Sequence, residues 1–119
     1  MPYELSKPFV IPTTDGKLIE EHHGLASTGN GGYSVARMMA PAGWSEPFQT
    51  PEFDEFTIVI SGKKRFEIEG EVLNLGPGET ILIKAGTRVR YSNPFEEAVH
   101  YWAICIPAFS PETVHREEA

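Results

Sequence analysis

Between residues 33 and 106 the chain is a series of short apolar runs cut by glycine and proline. Tyr33 to Ala40, Glu55 to Ile60, Lys64 to Glu69, Val72 to Leu75, Thr80 to Ile83, Arg88 to Ser92 and Ala98 to Ile106 read as strands. In Lys64 to Glu69, Phe66 and Ile68 alternate with Arg65, Glu67 and Glu69, the period of a half-buried strand. Pro41-Ala42-Gly43, Ser61-Gly62, Gly70-Glu71, Gly76-Pro77-Gly78 and Ala85-Gly86 are the turns between them. Short strands at intervals of ~8–12 residues predict a sandwich or barrel.

The two ends are patterned differently. Residues 1–32 form a loose arm of the same domain, with a short strand around Lys17-Leu18-Ile19-Glu20. Ser27-Thr28-Gly29-Asn30-Gly31-Gly32 reads as a turn. No helix pattern and no Lys-Ser/Thr pair follows to make it a phosphate cradle. Residues 33–119 hold the barrel and a tail. Ser110-Pro111-Glu112 has the order of an N-cap, a first-turn proline and a first-turn acid, and His115 and Arg116 suit a helix end. A short C-terminal helical turn is expected there.

Length and composition narrow the class. At 119 residues the chain suits one core, and 11 Gly with 10 Pro favours all-β over a helix bundle. Ten Lys+Arg against 17 Asp+Glu give a net charge of −7, without the basic footprint a nucleic-acid partner requires. No apolar stretch reaches the ~18–20 residues that span a bilayer, so no membrane partner is expected. Cys105 is the single cysteine, and the start Met1-Pro2-Tyr3-Glu4 has no secretory pattern. The expected location is the cytoplasm, and the expected partner is a small molecule.

The turn spacing carries a more specific signal. Gly43 is followed after five residues by Gln49-Thr50-Pro51, after three more by Glu55, and after six more by Gly62. Gly78 is followed after five residues by Lys84-Ala85-Gly86, after two more by Val89, and after three more by Asn93. Both frames resemble, without gaps, the two motifs of the cupin family. The resemblance covers roughly residues 33–107 and implies a small jelly-roll β-barrel with its site in the mouth.

The family's metal ligands are mostly replaced. Gln49, Pro51 and Val89 stand where the motifs have histidine, and Lys84 replaces the second motif's proline. Of the four usual ligands only Glu55 remains. Proline and valine offer no donor, and a glutamine amide is a poor ligand for Fe or Zn. No cofactor is therefore expected. If a divalent metal does bind, Glu55, Gln49 and His100 are its candidate ligands. His22 and His23 are adjacent and point to opposite faces of a strand, so they do not chelate together.

Without a metal, the motif frame implies an organic site. Glu55, Thr57 and Val59 share one strand face, and Phe56, Ile58 and Ile60 the other. With Glu55 inward, burial raises its pKa and suits it to general acid–base work. Tyr91 is the second catalytic candidate, as a donor to a carbonyl or oxyanion. Gln49, Glu46, Trp44, Thr57, Asn93 and His100 are candidate ligand-binding residues. The frame turns Val89, Tyr91 and Asn93 inward and Arg88 and Arg90 outward. A slip of one residue would reverse this and bring both arginines in to bind an anion. The apolar outer face calls for a cover, either the arm or a second copy in a homodimer.

The ending Pro107-Ala108-Phe109 with His115 in a polar tail is similar to that of small metal-independent cupin dehydratases, although their catalytic histidine has no match here. That likeness implies that so small a cupin can catalyse elimination without metal. The expected function is binding of a small polar metabolite, with isomerisation, elimination or proton transfer at Glu55. The alternatives are a non-enzymatic binding or sensor module, and a metal-dependent oxygenase or isomerase with atypical ligands.

Overall fold

A computed structural model describes residues 2–118. It contains nine strands: β1 (Phe9–Val10), β2 (Leu18–His23), β3 (Ser34–Ala40), β4 (Asp54–Ser61), β5 (Lys64–Ile68), β6 (Glu71–Leu75), β7 (Thr80–Ile83), β8 (Val89–Ser92) and β9 (Val99–Ile106). Six form one antiparallel sheet in the order β1-β2-β3-β9-β4-β7, and three form a second in the order β6-β5-β8. The fold is an all-β jelly roll. The seven strands expected from Tyr33 onward all form. The arm contributes two more, of which β1 is too short and too exposed to show a period.

Alternation decides what enters the space between the sheets. On β4, Glu55, Thr57 and Val59 are buried, and on β9, Val99, Tyr101, Ala103 and Cys105 are. The main core joins both sheets through Ala40, Trp44, Val59, Phe66, Leu75, Ile83, Val89, Tyr91, Val99 and Tyr101. The β4–β5 connection needs a glycine. Gly62 takes φ +77°, and a Cβ there would lie 2.4 Å from the Ala98 carbonyl oxygen.

The tail does not form the expected helical turn. The cap is present, since the Ser110 hydroxyl accepts the Glu112 N–H at 3.2 Å, and Thr113 N–H reaches the Ser110 carbonyl at 3.1 Å. The turn stops there, because a single turn repays little of the cost of nucleating a helix. His115 turns to φ +49°, and Val114 packs with Phe53, Cys105 and Phe109. The backbone then runs beside residues 48–52. Glu52 N–H donates to Thr113 at 2.9 Å and Glu117 N–H to Phe48 at 2.7 Å. The tail thus lies across one side of the barrel opening.

Among the described residues no helix is long and apolar enough to cross a membrane.

Candidate functional site

Between the sheets lies an open cavity of about 640 Å³. Strand alternation supplies its polar wall. Glu55 points in from β4, and Cys105, its register partner on β9, places its Sγ 3.6 Å from the carboxylate. Tyr91 enters from β8, Tyr101 from β9 and Lys64 from the start of β5. Lys17, Ile19 and Glu21 line it from β2 and the residue before it.

Two arrangements of charge share this space. Near the rim the network is closed: Lys17 Nζ pairs with Glu46 Oε2 at 2.9 Å, and Arg116 approaches the same oxygen at 3.5 Å. Arg116 also donates to Gln49 Oε1 at 3.3 Å. Around Lys64 the charge is open. Its Nζ lies 3.7 Å from the Tyr101 ring centroid, 4.3 Å from Tyr91 and 5.1 Å from Phe66. Among the described residues no carboxylate oxygen comes within 4 Å of it.

Burial sets the protonation of this group. It pushes the Glu55 carboxyl up, against the opposing pull of Lys64 and Lys17. It pushes the Lys64 ammonium down to about 7, with the Glu55 charge pulling the other way. Burial, reinforced by Glu55 and Glu46, holds Tyr91 and Tyr101 well above the ordinary phenol value, so both remain hydroxyl donors. Among the described residues neither hydroxyl, nor that of Thr57, has a protein hydrogen-bond partner. Burial also raises the Cys105 thiol, which makes it a small core residue rather than a nucleophile.

Glu55, Tyr91 and Gln49 are brought together in the cavity wall, where the motif frame put them, and Glu46 joins them there. Thr57 is inward and fully buried beside Glu55 on the same strand face, but it is not part of the lining. Three candidates lie elsewhere. Trp44 packs in the core and donates to Asp15 at 2.8 Å. The Asn93 amide anchors the loops around it through the carbonyls of Ala40, Pro41 and Glu97. His100 is on the outward face of β9, where its Nε2 accepts from Arg37 at 2.9 Å. Arg88 and Arg90 also face outward, paired with Glu117 and Glu67, so the one-residue slip does not occur.

The donors do not suit a metal. Gln49 is engaged by Arg116, Pro51 and Val89 have nothing to offer, and His100 is on the wrong face. Among the described residues no three of His, Cys, Asp and Glu converge on one point.

Sequence reasoning missed Lys64, Lys17 and Glu21. The signal was present. Period-2 counting puts Lys64 on the face of Phe66 and Ile68, and Lys17 on that of Ile19 and Glu21.

The sequence model of the family described as "Cupin domain" matches residues 36–107. A protein of Myxococcus xanthus (strain DK1622) named endoribonuclease YbeY is 49% identical over 113 residues, 95% of this chain. The chain spans 38% of that protein's length. Among solved structures, the polyketide cyclase RemF from Streptomyces resistomycificus superposes with a TM-score of 0.75 at 13% identity, over 96% of this chain and 82% of that one. The Streptomyces protein PAC13, solved with uridine, superposes with a TM-score of 0.73 at 18% identity, over 98% and 91%.

Proposed function

The chain belongs to the cupin domain family, and we propose that its barrel holds a small polar metabolite and moves a proton on it, with Glu55 as the acid–base group. One observation carries this reading. A single cavity gathers a buried carboxyl with a raised pKa, a buried amine and two tyrosine hydroxyls without protein partners. Buried polar groups are nearly always satisfied, so hydroxyls left free in a cavity wall suit a ligand that completes them. A carboxyl whose pKa burial raises holds its proton more firmly than an exposed one and can give it to a ligand and take it back.

The volume is in the usual range for small-molecule sites, and the similar PAC13 barrel was solved with uridine. Uridine is therefore the first probe. Its binding is expected by ligand-detected NMR, and the Tyr91→Phe/Tyr101→Phe double variant should weaken it about tenfold or more. For whichever bound metabolite is turned over, Glu55→Gln should slow the reaction ~100-fold or more and leave binding largely intact. Binding and turnover both untouched by Glu55→Gln would sink the assignment of Glu55. Binding without turnover across a broad pH range would leave a binding module in its place.

The outer face of the large sheet exposes Met39, Ile60, Leu82 and Ile106 around half-buried Phe56, Ile58 and Ile104. This supports a homodimer that covers it.

A further inference from the structure

We propose that the Lys64 amine is a nucleophile that condenses with a carbonyl carbon, and that the molecules taken by this barrel are small hydroxylated aldehydes or ketones. The inference rests on the cavity being a ligand site, as above, and adds the substrate class and a covalent step.

The geometry singles out Lys64 among the five lysines of the chain. It is 2% exposed, yet it lines the cavity. Lys17, the other lysine in the wall, is tied to Glu46 at 2.9 Å. Lys64 instead stands over three aromatic rings, with no hydrogen bond or ion pair among the described residues. The rings fix its direction and leave the nitrogen lone pair uncommitted. The titratable groups around it are Glu55, Lys17, Glu46, Cys105, Tyr91 and Tyr101. Burial outweighs the carboxylates among them, and the ammonium titrates at about 7. An amine is nucleophilic only as the free base, and a buried lysine is suited to Schiff-base formation. With its pKa pushed down to about 7, Lys64 holds a far larger share of free base near neutrality than the roughly 10⁻³ of an ordinary lysine.

The step balances with the groups present. The Lys64 nitrogen attacks the carbonyl carbon and forms a C–N bond. The carbonyl oxygen receives one proton from the attacking nitrogen, giving a carbinolamine. Protonated Glu55 delivers a second proton to that oxygen, the C–O bond breaks and water leaves. The nitrogen lone pair becomes the C=N bond of an iminium that keeps one N–H. The product is an iminium cation facing the Glu55 carboxylate, and no charge is created overall. Tyr91 and Tyr101 are the hydroxyl donors available to the oxygen while it carries charge. Glu55, once ionised, is the base for a proton acidified next to the iminium.

The test uses the full chain, glycolaldehyde and sodium cyanoborohydride near pH 7, with the adducts located by peptide mass mapping over time. Lys64 should be alkylated at least ~10-fold faster than Lys7, Lys63 or Lys84, as its free-base fraction requires. Lys64→Arg should abolish the fast adduct and leave the slow ones. The wild-type map suffices alone if that variant fails to fold. Lys64 labelling no faster than its exposed neighbour Lys63 overturns the proposal. The uridine titration separates the two readings. Uridine bound with Lys64 unreactive removes only the amine chemistry. Fast Lys64 labelling that saturating uridine blocks supports both. Fast labelling with no uridine bound supports the amine and removes uridine-like ligands from the reading above.

Discussion

The two faces of the six-stranded sheet differ in an unexpected direction. Its inner face carries Glu21, Ser34, Glu55, Thr57, Tyr101 and Cys105, all buried. Its outer face carries Phe56, Ile58, Trp102 and Ile104, all partly open to solvent. These polar groups share the inner face with the apolar core residues Ala40, Val59, Ile83 and Val99, so only the part beside the cavity, with apolar side chains behind it, departs from the usual arrangement. The inner groups are tolerable because a cavity gives them room and partial pairing; the outer ones remain a surface that another molecule can cover. Alternation therefore says which residues share a face. It does not say which face is the interior.

Neighbouring residues on β4 separate the two faces most directly. Val59 is fully buried in the core opposite Tyr101, and Ile58 is half-buried on the outer face opposite Trp102. Val59→Ala should destabilise the protein by about 2–3 kcal/mol, through lost burial and the cavity left behind. Urea denaturation reads this directly. A loss below about 1 kcal/mol would mean that the core relaxes around the site and that the interior is less rigid than its packing implies.

The next effect has the opposite sign. Lys64→Met removes a buried charge and keeps the volume, so it should stabilise the protein by about 1–3 kcal/mol at pH 6. The sign follows from linkage. The folded pKa of about 7 lies below the ordinary 10.5, so the folded state binds fewer protons between these values. The wild type carries the full penalty below pH 7 and sheds it as pH rises towards 10.5. The difference in stability between variant and wild type should therefore shrink steadily from pH 7 to pH 10. The gain falls short of the full linkage term because Glu55 loses its favourable partner. A variant less stable than wild type at pH 6 would make Lys64 a structural cation of its aromatic cage instead.

Most of the strand framework was legible from turns and period, because Gly62 and its fellow turn glycines leave few ways to place short strands. The resemblance of the Gly43–Gly62 and Gly78–Asn93 spacings to the cupin motifs also implied the cavity positions of Glu55, Gln49 and Tyr91. Other positions depended on long-range contacts. The tail has the local order of a helix start, but Val114 packs on Phe53 and Cys105, and a single helical turn returns little to compete with that contact. Asn93 occupies its motif position, yet its amide is used to fix loops, which no spacing reveals. His100 was ambiguous because both faces of β9 are apolar, and only pairing with β3 and β4 decides its direction. Lys64 was legible in principle, since the count that buried Phe66 also buries it. Its charge argued against that count, and the cavity resolved the conflict.

The smallest expected effect tests the outer face. Ile58→Ala deletes more carbon than Val59→Ala, yet on a solvent-facing sheet it should destabilise an isolated chain by less than about 1 kcal/mol, because that side chain is already partly wet and leaves no enclosed cavity. In a homodimer through this face, Ile58 is buried in the assembly. The cost then rises, and the midpoint of unfolding depends on protein concentration, since association stabilises by mass action. Measuring Tm for both proteins over a hundredfold range of concentration separates these cases. A wild-type Tm that rises with concentration, and an Ile58→Ala Tm that rises less, is the result expected of the dimer. Two flat, nearly coincident lines would leave the outer apolar face as ordinary surface, and the contrast between the faces would then be due to the polar cavity wall alone.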